Sequence, residues 1–91
     1  MEDLEALLGR LREKLSEQSW PDVYFFKFIV PTDNEKIGMI YAMFDDSADI
    51  QMHESKSNKY TSVSIKTVMI DVESILDIYR KASKIEGIIS L

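Results

Sequence analysis

Tyr60-Thr-Ser-Val-Ser-Ile-Lys-Thr-Val-Met-Ile70, Asp71-Val-Glu-Ser-Ile-Leu-Asp-Ile-Tyr-Arg-Lys-Ala-Ser-Lys-Ile85 and Gly87-Ile-Ile-Ser-Leu91 follow one another with a single residue between the second and third. The first alternates at period 2, the mark of a half-buried strand, with Val63, Ile65 and Met69 inward and Ser62, Ser64 and Lys66 outward. The second repeats at 3.6: Asp71 offers an N-cap, and Val72, Ile75, Leu76, Tyr79 and Ala82 form one stripe, so a helix is expected over 71–85. Gly87 is its stop, and the apolar run to Leu91 is a last strand. Two strands joined through a helix lie side by side in one sheet or leave room for one strand between them, so this stretch dictates an α+β layout.

Working back from it, Ile50 and Met52 alternate with Gln51 and His53 in a short strand. Asp45, Asp46, Ser47 and Asp49 make the turn before that strand, and Ser55 to Lys59 close a hairpin after it. Thr32 with Glu35 three residues on matches a capping box, which predicts a helix over about 33–44. Its buried stripe is Ile37, Ile40, Tyr41 and Phe44, with Met39 and Met43 turned outward. Pro31 ends a strand over 23–30 built almost wholly of aromatic and β-branched residues. Tyr24, Phe26, Phe28 and Val30 share one side of it; Val23, Phe25, Lys27 and Ile29 share the other, which the lysine marks as wetter. Leu4, Leu7, Leu8, Leu11 and Leu15 recur at helical spacing and predict an amphipathic helix over 3–17. Residues 1–21 thus read as a helix and linker, and 22–91 as the domain proper.

From residue 22 the order is βαββαβ, the split β-α-β arrangement of ferredoxin-like sandwiches. It predicts a four-stranded antiparallel sheet of order 4-1-3-2 with both helices on one face. The uncovered face presents Phe25 and Ile29 beside Lys27, Ser62, Ser64 and Lys66. The leucine-striped helix is the expected cover, in its own molecule or in a partner, and in the second case the protein is an oligomer. Leu4, Leu7, Leu8, Leu11, Leu15, Phe25, Ile29, Met39 and Met43 are therefore the candidate interface, with Ile78 also facing away from its helix's stripe. Scattered surface apolar groups are ordinary too, and that reading stays open beside it.

Ninety-one residues make one domain, and a domain this small hides only about 60% of the surface of its unfolded chain. With 45% hydrophobic and 30% charged residues and only three Gly and two Pro, the chain is neither disordered nor low-complexity. The longest uncharged apolar run, 37–44, falls short of the roughly 20 residues that cross a bilayer. The opening Met1-Glu2-Asp3 is acidic where a signal segment is basic, so a cytoplasmic protein is expected. Absence of cysteine excludes disulfides, a thiol nucleophile and thiolate metal sites. Net charge is -5, with six acids against two lysines over 22–49, which disfavours nucleic acid as a partner, because phosphate binding draws on lysine and arginine. Ser62 and Ser64 also stand where an RNA-binding sheet of this topology needs stacking rings.

Phe26-Lys27-Phe28, Ser55-Lys56-Ser57-Asn58-Lys59-Tyr60 with Ser62-Val63-Ser64-Ile65, Leu76-Asp77-Ile78-Tyr79 and the closing 88–91 carry a resemblance over about 22–91. In these pieces the chain resembles the YbeD-like family of small bacterial proteins, whose function is largely unassigned and whose members are sometimes labelled lipoate regulatory. The resemblance implies a ferredoxin-like sandwich similar to the regulatory ACT domains, and no catalytic activity. ACT domains that hold amino acids typically place a glycine after the first strand, where this chain has Val30-Pro31-Thr32-Asp33-Asn34. The hairpin is one residue longer than the form Ser-Lys-Gly-Asn-Tyr associated with the family, and residues 1–21 lie outside the resemblance.

His53 is the only histidine, so a triad or multi-histidine metal site has no second imidazole, and an outward strand residue is the simpler account. Asp45, Asp46 and Asp49 lack the glycine-containing loop that positions calcium ligands, and read as turn residues. The hairpin Ser55, Lys56, Asn58, Lys59 and Tyr60 offers donors for an anion. It also reads as a solvated turn set by Asn58, whose lysines guard strand edges. The expectation is a small cytoplasmic, non-enzymatic regulatory or protein-interaction domain, a homo-oligomer or bound to a protein partner, with no cofactor, metal, nucleic acid or membrane. The alternative is a sensor that takes a small anionic metabolite at the hairpin.

Overall fold

The computed structural model describes residues 3–91, so the opening Met1-Glu2 lies outside the described residues. Three helices and four strands follow in the order α1 (Leu4–Leu15), β1 (Asp22–Pro31), α2 (Asn34–Tyr41), β2 (Asp49–Glu54), β3 (Tyr60–Met69), α3 (Val72–Ala82) and β4 (Ile89–Ser90). An aspartate starts every helix. Asp3, Asp33 and Asp71 stand in extended backbone, and their carboxylates accept from the N–H of Ala6, Glu35 and Ser74 at 2.8 Å each. Such caps satisfy donors that the first helical turn leaves without partners. The Asp71 carboxyl is held below the usual range, first by the Ser74 backbone N–H.

The four strands form one antiparallel sheet in the order β2-β3-β1-β4, which read from the β4 edge is β4-β1-β3-β2. Opposite Phe26 and Phe28 of β1 lie Ile65 and Val63 of β3, so alternation puts the apolar residues of both strands on one face. All four are buried, together with Val30, Ile40 of α2 and Ile75 of α3. Helices α2 and α3 thus pack on that face, and the other is left open. Phe26 sits at the centre, its ring centroid 4.7 Å from that of Tyr24, 6.0 Å from Phe28, and 5.4 Å from both Phe44 and Tyr79. Tyr79 and Tyr24 share a hydrogen bond between hydroxyls at 2.9 Å. Burial, with that bond, raises the Tyr79 phenol well above its ordinary range.

Several expectations are corrected, among them the end of α3, which comes at Ala82 with Ser83 as its C-cap, so that Gly87 is not its stop. The cap of α2 is Asp33, not Thr32, whose hydroxyl is engaged at 2.9 Å by the buried Thr61 across the sheet. The helix ends at Tyr41 instead of Phe44, and the following turn, with the Met43 N–H on the Ile40 carbonyl, carries Met43 as well as Phe44 against the core. Tyr41 is left exposed and only Met39 faces water from the pair of methionines. Ile78 is buried, 7% exposed, as part of the main core cluster, because it shares the side of α3 that carries Ile75 and Ala82 rather than the side that carries Glu73 and Arg80.

A further correction concerns α1. Helix α1 lies on α3, on the far side of the molecule from the open sheet face. Arg12 forks onto Glu73 at 2.7 and 3.1 Å and Arg80 forks onto Glu5 at 3.0 and 3.1 Å, which sets the two helices antiparallel. Leu8 and Leu15 are buried in this contact. The hydrogen bonds from Arg80 and Arg12 hold the Glu5 and Glu73 carboxyls below their ordinary range. Exposed pairs of this kind align more than they stabilise, and the hydrophobic contact beneath them does the holding. Trp20, whose Nε1 donates to the Leu15 carbonyl at 2.9 Å, closes the exit from α1, and the Trp20–Pro21 peptide is cis.

The last strand is two residues long, shorter than the expected 87–91, although the Leu91 N–H still donates to the Lys27 carbonyl at 2.9 Å. Gly87 ahead of it has φ +82, and a Cβ there would lie 2.9 Å from Pro31 Cγ. Both the left-handed backbone and the close approach demand glycine. Gly87→Ala is expected to cost about 1–3 kcal/mol in urea unfolding; an unchanged midpoint would show that Pro31 yields freely.

Candidate functional site

On the open face the register fixes which residues stand in line across the strands. Val23 lies beside Val68; Phe25 beside Lys66 and Asp49; Leu91, Lys27, Ser64 and Gln51 form the next row; Ile89, Ile29, Ser62 and His53 the one after; Pro31 stands beside Tyr60. The arrangement follows from period-2 alternation and needs no unusual backbone. Its content is unusual. Phe25 is 67% exposed and Val68 63%, and Val23, Tyr60, Ile89 and Leu91 are exposed as well, with Ile29 half-buried.

Shallow depressions interrupt this surface, two of them larger than a third beside Val23 and Val68. One of about 360 Å³ is lined by Phe25, Lys27, Asp49, Gln51, Ser64 and Lys66. The second, of about 310 Å³, is lined by Ile29, His53, Ser55, Tyr60, Ser62 and Ile89. The Lys66 ammonium stands 5.8 Å from the Phe25 ring centroid, a distance at which a cation is drawn to the ring face. In the second, Ser62 stands beside His53, but its hydroxyl donates to the His53 backbone carbonyl at 3.3 Å rather than to the imidazole, which is not the nucleophile–base pairing that covalent catalysis needs.

The expected interface residues divide. Phe25 and Ile29 share the open face, whereas Leu8 and Leu15 are buried within the chain, Leu4 and Leu11 are half-buried, and only Leu7 of that stripe is exposed. Met39 is exposed on α2, away from the sheet's open side, and Met43 is half-buried in the core's margin. Sequence reasoning missed Val23, Val68 and Ile89. Two of them, Val23 and Val68, hold outward parity in their strands, and that was the available signal.

The hairpin is internally committed. Ser55 N–H donates to the Tyr60 carbonyl at 2.8 Å, Asn58 N–H to the Ser55 carbonyl at 2.9 Å, and Tyr60 N–H to the Ser55 hydroxyl at 3.2 Å. Asn58 takes φ +59, the left-handed conformation asparagine tolerates best after glycine. Lys56 and Lys59 are exposed and enter no ion pair among the described residues. His53 is exposed on the edge strand β2. Asp45 accepts from the hydroxyl and backbone N–H of Ser47, which hold its carboxyl below the usual range. Among the described residues no three His, Cys, Asp or Glu side chains converge as metal ligands do, and no helix is long and apolar enough to cross a membrane.

Compared with known proteins, residues 16–91 match a family model described as a protein of unknown function (DUF493). No curated protein and no solved structure matches.

Proposed function

The chain belongs to DUF493, the YbeD family of proteins of unknown function, and since membership brings no activity with it, we propose from the geometry that it is a small non-enzymatic regulatory or interaction domain. In this reading the fold is of the ferredoxin-like kind, akin to ACT domains, and its open sheet face is the working surface. The single observation that carries the proposal is the run of exposed apolar side chains on that face, Phe25 and Val68 foremost. A lone exposed leucine means little, but several large apolar side chains grouped on one sheet face mark a place where another surface sits. The alternative, an anion sensor at the 55–60 hairpin, has less support, because the backbone donors of Ser55, Asn58 and Tyr60 are spent inside the turn. A cytoplasmic address is part of the proposal and rests on the acidic, cysteine-free composition.

A photoreactive benzoylphenylalanine in place of Phe25, activated in cells, tests the reading. A discrete protein adduct is expected from position 25 and none from the same group in place of the exposed Glu13 on α1. Equal or absent labelling at the two positions sinks it.

A further inference from the structure

Resting on the association reading, we infer that the partner seated on the open sheet face is a second copy of this chain, joined about a two-fold axis that inserts Phe25 of each copy into the depression between Ile29, Tyr60 and His53 of the other. The face is banded along the strands. Val23, Phe25 and Val68 form one apolar band, Lys27, Ser64 and Gln51 a polar belt, and Ile29, Tyr60 and Ile89 a second apolar band. Such an order reads the same in both directions. An axis lying across the strands through the Lys27 row therefore sets each apolar band on the other band of the partner, as an isologous contact requires.

Shape and charge agree with this placement. Phe25 and Ile29 lie one row to either side of Lys27 on the same strand, so a rotation about that row carries the exposed ring onto the partner's Ile29. There it meets a receptacle of about 310 Å³ with apolar walls, large enough for a phenyl group. The same operation sets Val68 against Tyr60, and Asp49 against His53, an acid against an imidazole. Lys27 stands at the axis near its own mate, and its flexible stem must carry the ammonium out of the seam. With five rows at about 6.8 Å intervals and strands about 4.8 Å apart, the face and its rim cover roughly 600 Å². That is under the ~800 Å² per partner of standard interfaces, so a micromolar dimer is expected rather than a permanent one.

Sedimentation equilibrium of the full chain tests the inference, with a mass of twice 10.5 kDa expected at high micromolar concentration. Phe25→Asp and Ile29→Lys should each weaken the dimer by roughly 20-fold or more. Mixed in equal amounts, the two should associate again, because the mixed pair keeps one native Phe25–Ile29 contact and gains an ion pair at the other. Ile89→Lys serves in place of Ile29→Lys should the latter lose its folded circular dichroism. A wild type that stays monomeric, variants that associate unchanged, or a mixture that stays monomeric each overturn the inference. The photoadduct at position 25 then separates the two readings: an adduct with a different protein leaves the association domain standing, and no adduct removes both.

Discussion

Phe26→Ala is expected to remove about 3–5 kcal/mol of stability, the range observed when a buried phenyl group is truncated and its cavity cannot collapse. Phe26 is 1% exposed and touches rings from β1, α3 and the turn after α2 at once, so no single neighbour relaxes into the space. A chain of this length has only about 5–13 kcal/mol to lose, and its melting temperature should fall by roughly 15–30 °C. Phe25→Ala, one residue away and on the open face, should shift stability by no more than about 0.5 kcal/mol. Urea unfolding of the two variants side by side checks the claim. Equal losses would mean that the strand's two faces are not divided between core and open surface.

The second large effect is expected from removing residues 1–19. If α1 served only to clamp a partner, its loss would leave the melting temperature in place and change the mass. Packed on α3 instead, it takes with it the buried Leu8 and Leu15. At about 1.5–3 kcal/mol for each buried leucine side chain, the shortened chain should lose roughly 3–6 kcal/mol. Leu8→Asp in the full chain should act in the same direction, since it places a charge in that contact. An unchanged unfolding midpoint in both would detach α1 from the core. A change of mass with no change in stability would restore it as a clamp.

Much of the candidate site was legible before any coordinates. Parity along β1 separates Phe25 and Ile29 from Phe26 and Phe28, and the lysine between them marks the outer side. The rest of the apolar bands was not legible, because Val68 and Ile89 join Phe25 and Ile29 only through the pairing of distant strands. A strand's own alternation says which side a residue is on, but register says what stands beside it. The hairpin shows the same limit. Its composition suggested an anion site, and the hydrogen bonds of Ser55 and Tyr60 show how many of its donors are already used.

Local chemistry in the sequence determined the element order, the inner faces of β1 and β3 and the cap at Asp71, but not the end of α3, which comes at Ala82 well before Gly87. What it determined depends on neighbours within one turn or one strand. Tertiary structure alone decided that Asp33 and not Thr32 caps α2, since Thr61 claims the threonine hydroxyl from across the sheet. It alone decided that α1 lies on α3, burying Leu8 and Leu15 and leaving the sheet's far side open. Helix periodicity shows that an apolar stripe exists, whereas its cover is chosen by competition among all the apolar surfaces of the folded chain.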